Sequence, residues 1–154
     1  VVRYHGGMKK ILVGFDGTDS SRKAADEAGT LAAGLGAELH VLTVVIDDPK
    51  KHGFDIAVVD ERAEEAVEAR SDGLQDRAAA TAHQLDGQYP GVKVVTTIVS
   101  GPPARTIVQH AEAVGADVIV VGNRRVQGLS RLLGSVAIDV LRDAPCAVYV
   151  AKTT

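Results

Sequence analysis

The residues with the most chemical potential lie in "VVGNRRVQGLSRLLGSVAIDV", residues 120–140. Glycines stand at Gly122, Gly128 and Gly134, with Arg124, Arg125 and Arg131 among them and a hydroxyl at Ser135. A phosphate cradle needs backbone N–H groups turned toward one point without side chains in the way. Glycine supplies both conditions, and a following helix N-terminus adds partial positive charge. Gly134 and Ser135 directly precede "VAIDVL", so their amides and the Ser135 hydroxyl could face an anion. Ser135 could equally be an N-cap that satisfies only its own first turn. The arginines could make charge-assisted bonds to phosphate, or they could be solvated loop residues of little energetic weight.

A second acidic candidate is Asp16, at the end of the first aliphatic run in "KKILVGFDGT". A carboxylate there could contact a ribose or base, or help hold Mg2+ on phosphates. Alternatively it anchors the turn "DGT" into the next helix. The loop is not a Walker A loop, since G-x4-G-K-[ST] is absent and no lysine lies between residues 94 and 151. No G-x-G-x-x-G follows the first strand either, so a dinucleotide fingerprint is excluded. His40 on the second strand reads as a core or edge histidine. His52, His83 and His110 have no partner at meaningful spacing, so no catalytic triad or dyad can be argued.

The elements that must position these residues follow from periodicity. "KKILVGFDG" suits a buried strand ending near Gly14. Thr18, Asp19 and Ser20 open a helix whose small apolar residues Ala24, Ala25, Ala28, Leu31, Ala32 and Leu35 recur with helical spacing, and Gly36 stops it. "AELHVLTVV" is a second strand, and residues 47–60 are a loop. A charged helix is predicted from Glu61 to about Leu85, with inward candidates Ala63, Ala66, Val67, Leu74, Ala78, Ala82 and Leu85, and Gly73 as a point where it could break. "VKVVTTIV" is a third strand. The prolines of "GPPARTIVQHAEAVGA" start a helix that Gly115 ends. "DVIVVG" is the fourth strand, a helix runs from about Ser135 to Arg142, and "CAVYVAK" is the fifth strand.

This β-α alternation with continuous aliphatic strands predicts an α/β fold: a doubly wound, five-stranded parallel sheet with helices on both faces. Ligands of such sheets bind beyond the carboxyl ends of the strands, where strand order reverses. "GFDGT" and "GNRRVQG" are predicted to meet there.

The 154 residues suit one domain, with residues 1–8 expected to form a poorly ordered extension and 9–154 the domain. Met8 is the only methionine and therefore a candidate true start. Tryptophan is absent and aromatics are 3%, so the core must be aliphatic. A net charge of −3 gives no global attraction to nucleic acid or anionic membrane. No membrane span or secretory signal is legible, which makes the cytoplasm the expected compartment. Cys146 stands alone, in an apolar run, and reads as a buried inert thiol.

From Lys9 to Lys152 the chain resembles the universal stress protein family. The resemblance rests on "ILVGFDGTDSSRKAADEA", "AELHVLTVV", "GPPARTIVQHAEAVGADVIVVGN" and "GLSRLLGSVAIDVLRDAPCAVYVAK". It implies a Rossmann-like fold of the adenine nucleotide alpha hydrolase-like kind and a homodimer formed through the C-terminal edge strand. Its nucleotide-binding members carry G-x2-G-x9-G-[ST] after the fourth strand. By that resemblance Gly122 is the first glycine, Gly134 the third and Ser135 the hydroxyl residue. Asp16 matches the acidic residue at the nucleotide, and Val44 the position lining adenine. Asn123, Arg125, Gly128 and Val136 complete the implied binding set. The chain departs from the pattern at Arg125, which replaces the second glycine, and the gap from there to Gly134 is eight residues rather than nine.

The resemblance implies a small stress-response regulator that binds ATP, or AMP or cyclic AMP, with little or no hydrolysis. The alternatives are a nucleotide-free dimeric interaction module whose site Arg125 closes, and an ATP pyrophosphatase or adenylating enzyme. The last is echoed by "FDGTDSS" at 15–21, but Phe15 and Asp16 replace the Ser-Gly that would grip pyrophosphate.

Overall fold

The computed structural model describes residues 7–45, 61–123 and 133–153, with side chains from residue 71 onward in the second stretch. The chain runs β1 (Lys10–Phe15), α1 (Asp19–Leu35), β2 (Glu38–Val45), α2 (Glu61–Gln88), β3 (Val94–Ser100), α3 (Pro103–Val114), β4 (Val118–Gly122), α4 (Ser135–Asp143) and β5 (Ala147–Ala151). All strand pairs are parallel, in the order β3-β2-β1-β4-β5. The chain therefore winds outward from β1 through β2 to β3, then crosses back to β4. The reversal falls between β1 and β4, as predicted.

Alternating side chains send each strand's residues into two separate cores. Ile11, Val13, Leu39, Val41, Val118 and Val120 pack against the alanine stripe of α1 and the inner face of α2. Leu12, Leu42, Ile119 and Val121 pack against α3 and α4. Ala24, Ala25, Ala28 and Ala32 are fully buried, and their small size lets α1 lie close on the sheet. Both cores are mostly aliphatic, as the shortage of aromatic residues requires, with buried Phe15 and partly buried Tyr89 the aromatic members on the α1 side.

The local stops are those the residue types dictate. Thr18 caps α1, its hydroxyl accepting the Ser21 N–H at 3.2 Å, and Gly36 and Gly115 close α1 and α3 in left-handed conformations. The expected break at Gly73 does not occur: α2 is continuous through it, and its missing side chain faces open space. A solvent-facing glycine costs a helix only about 1 kcal/mol, which the buried Ala78, Thr81 and Leu85 on the other face offset. β1 also continues one residue past Gly14, to Phe15. The inward candidates Ala63, Ala66 and Val67 lie outside the described side chains, as do His52 and, apart from Gly7 and Met8, the expected N-terminal extension.

Asp117 ties β1 to β4 at the end of the sheet far from the strand reversal's open edge. Its Oδ2 accepts the N–H groups of Lys9 at 2.8 Å and Lys10 at 3.0 Å, and its own N–H donates to the Lys10 carbonyl at 2.9 Å. One of those bonds is exposed, which weakens it. Asp117→Ala is expected to lower the unfolding free energy by about 1–2 kcal/mol, read as a shifted midpoint in urea at unchanged slope.

Candidate functional site

The site is built where β1 and β4 end side by side. Their register pairs Val13 with Val120, so two residues further on Phe15 stands beside Gly122. Asp16 and Asn123 are the next residues along these adjacent strands. The chain returns antiparallel to the sheet after β4, which puts the N-terminus of α4 at the same carboxyl edge.

Asp16 is exposed, and Oδ1 accepts both the N–H of Thr18 (3.0 Å) and its hydroxyl (2.5 Å). The Asp16 N–H donates to Ser21 Oγ at 3.3 Å. The carboxylate thus anchors the turn into α1, one of the two roles open to it, while the helix cap itself is Thr18. Gly17 adopts φ +77° in this turn, a conformation that suits glycine. Arg77 and Leu74 of α2 close over it: Arg77 Nη1 donates to the Gly17 carbonyl at 3.3 Å. Arg77 was not among the sequence candidates, although it shares a helix face with Leu74 and Ala78, both of which were.

Gly122 has a packing reason to be glycine. A Cβ there would lie 2.8 Å from Ser20 Oγ and 3.3 Å from the Ser20 carbonyl oxygen. The bare backbone lets the start of α1 rest directly on the end of β4.

Asn123 turns its carboxamide oxygen toward the residues after β5. Oδ1 accepts the Thr153 N–H at 2.8 Å and the Thr153 hydroxyl at 2.7 Å, and the Asn123 N–H donates to the Ala151 carbonyl at 3.1 Å. Thr153 is buried, its hydroxyl 2.7 Å from Ser20 Oγ and its carbonyl accepting Lys23 Nζ at 3.2 Å. Nothing in the residue pattern of the C-terminus announces this contact.

Gly134 is the N-cap of α4, in an extended conformation at φ −62° and ψ 155°, and no side chain among the described residues caps the helix. Ser135 is therefore not the cap but the first helical residue, exposed, with exposed Val136 behind it. The amides of Ser135, Val136 and Ala137 belong to the first turn, where no intrahelical acceptor exists. By contrast, Thr18 occupies the start of α1, and prolines begin α3. Together with the helix dipole, these amides make the start of α4 suited to an anion.

Val44 lies late in β2 on the α3 side of the sheet, half-buried, paired with Val99. Arg124, Arg125, Gly128 and Arg131 fall outside the described residues. His40 and His110 lie away from this edge. His40 is buried early in β2 with its Nε2 3.2 Å from Glu38, and His110 faces it from α3. Burial, and secondarily His40, hold the His110 pKa below its ordinary value. Cys146 is half-buried, and burial raises its thiol pKa, followed by the nearby Asp117. No group of metal-ligating residues occurs among the described residues, and no helix among them is long and apolar enough to cross a membrane.

The comparisons with known proteins agree with this architecture. A universal stress protein of Methanocaldococcus jannaschii is 36% identical over 147 residues, covering 94% of this chain and 82% of that protein. The universal stress protein UspA of Lactobacillus plantarum superposes with a TM-score of 0.80 at 26% identity, over 96% of this chain and all of its own. A universal stress protein solved in complex with cAMP is 29% identical, with a TM-score of 0.62 over 97% of this chain and all of that one. The model of the universal stress protein family matches residues 7–152. With that match spanning both cores and the reversal between β1 and β4, the chain belongs to the universal stress protein family.

Proposed function

We propose that this protein is a cytoplasmic stress-response regulator that binds an adenine nucleotide, ATP foremost, at the carboxyl ends of β1 and β4. The observation that carries the reading is the first turn of α4. Gly134, Ser135 and Val136 offer amides with no side-chain cap among the described residues, at the edge where Asp16 and Gly122 leave adjacent strands. The phosphates lie on that turn, with Mg2+ as their counterion, and adenine lies toward Val44. The relative solved with cAMP supports an adenine ligand. On this reading the nucleotide is held with little or no hydrolysis.

The protein acts as a homodimer. β5 is an edge strand; Tyr149 on its α1 face is 40% exposed, and Ile138 and Leu141 of α4 on the other face are 48% and 44% exposed, apolar surface along this edge that pairing with a second copy would cover.

One set of observations favours a second reading, a nucleotide-free dimeric module with the site closed by Arg125. Asp16, Gly122 and Asn123 each serve the fold itself, through Thr18, Ser20 and Thr153 respectively. Native mass spectrometry of freshly purified protein, followed by calorimetric titration with ATP, AMP and cyclic AMP, separates the two. The nucleotide reading predicts a dimer carrying or accepting ATP. A dimer giving no heat with any of the three ligands supports the module instead.

A further inference from the structure

One peptide unit of the turn after β1 is held at both ends by charged side chains. The peptide joining Gly17 to Thr18 is planar and trans, so its carbonyl and its N–H point in opposite directions. The Thr18 N–H donates to Asp16 Oδ1 at 3.0 Å, and the Gly17 carbonyl accepts from Arg77 Nη1 at 3.3 Å. Neighbouring groups of the turn are met from nearby in the chain. The Asp16 N–H donates to Ser21 Oγ at 3.3 Å, and the Thr18 carbonyl accepts the Ser21 hydroxyl and the Arg22 N–H, each at 3.0 Å. Arg77 instead reaches in from α2, sixty residues away. Gly17 is buried beneath it: a Cβ there would lie 3.0 Å from Leu74 Cδ1 and 3.2 Å from Arg77 Cδ.

We propose that Arg77 is the positioning residue for Asp16, fixing through this one peptide the orientation in which the carboxylate meets the nucleotide. This deepens the nucleotide reading above and rests on it. Gly17 has no Cβ and sits at φ +77°, so it is the residue of the turn with the most backbone freedom. Rotation of the peptide that follows it would carry the Thr18 N–H away from Asp16. The guanidinium bond to the carbonyl opposes that rotation, and by polarising the peptide it strengthens the N–H that grips the carboxylate. Arg77 works from the opposite layer of the fold. α2 packs into the core shared with α1, whereas α4 and Val44 belong to the other core. An α2 side chain thereby sets the strength of a site whose phosphate end it does not face.

The test titrates ATP into the wild type, Arg77→Met, Arg77→Lys, Asp16→Ala and the double variant Arg77→Met with Asp16→Ala, all in the full chain, alongside a thermal midpoint without ligand. Arg77→Met keeps an apolar stem over Gly17 and loses the donors. It is expected to weaken ATP at least about 3-fold, the weight of one partly exposed hydrogen bond, and to lower the ligand-free midpoint by less than about 4 °C. In the Asp16→Ala background the same substitution should change ATP by less than about 1.5-fold, because the group it positions is gone. Arg77→Lys should bind within about 1.5-fold of the wild type, since the bond to Gly17 uses a single donor that an ammonium also supplies. If the wild type takes up no ATP, the nucleotide reading fails and the inference with it. If the wild type binds and Arg77→Met binds equally well, or weakens ATP by the same factor with and without Asp16, the inference alone is overturned. Should Asp16→Ala bind too weakly to titrate, the Arg77 pair decides: recovery in Arg77→Lys supports the inference, and equal losses in the two overturn it.

Discussion

Ser135→Asp is expected to weaken ATP binding by at least about 30-fold while leaving the protein as stable as before or slightly more so. The two effects have opposite signs for one reason. An acidic side chain in the first turn of a helix interacts favourably with the dipole and the open amides, by about 0.3–1 kcal/mol. α4 begins with no acidic residue in its first turn and, among the described residues, no side-chain cap, so a carboxylate there meets open amides. The proposed phosphates occupy the same place. Two like charges about 4 Å apart in a partly screened crevice repel by about 1–4 kcal/mol, and the triphosphate also loses amides already bonded by the new side chain. Calorimetry with ATP and a thermal melt without it read both signs on one variant. Weakened binding with a lowered midpoint would point to damaged packing instead. Ser135 is exposed, which makes that outcome informative.

Gly122→Ala is expected to destabilise the ligand-free protein by about 2 kcal/mol, lowering its thermal midpoint by about 4–8 °C for a chain of this size. The added methyl meets Ser20 Oγ at 2.8 Å and the Ser20 backbone at 3.3 Å. Ser20 has little freedom to yield. Its hydroxyl is held by Thr153, and its backbone belongs to α1, whose alanines are packed without space against the sheet. Relief therefore requires the start of α1 to move off β4, disturbing the Ser20, Thr153 and Asn123 chain of bonds. A glycine kept only to make room for a ligand would show no such loss in the absence of nucleotide. Melting the ligand-free variant distinguishes the two roles, and an unchanged midpoint would show that α1 shifts at no cost.

The parts of this fold legible in the sequence are those set by neighbours along the chain. Alternating aliphatic runs and helical stripes point to the strands and helices of the described residues, and Thr18, Gly36 and Gly115 act as the cap and stops their residue types suggest. The meeting of "GFDGT" and "GNRRVQG" at the reversal was read from β-α alternation and the general behaviour of open parallel sheets. The role of Gly122 was less legible, because the glycine has two uses, ligand access and the seat for Ser20, that look identical in a motif. Arg77 meets Gly17 across sixty residues, and Thr153 meets Asn123 across thirty. Such contacts depend on how α2 and the C-terminal segment cross the sheet edge, which no local periodicity encodes. Gly73 failed as a helix breaker for a related reason. Long-range burial of Ala78, Thr81 and Leu85 outweighs a local preference of about 1 kcal/mol.

The most direct measurement is a backbone amide NMR titration of the 15N-labelled protein with ATP. The account predicts the largest shifts at Ser135, Val136 and Ala137, joined by Asp16 to Thr18 and by Asn123, with the Asp117 clamp at the opposite end of the sheet unmoved. A saturating titration that leaves the first turn of α4 unchanged, or that moves residues only around the far ends of the strands, would contradict it.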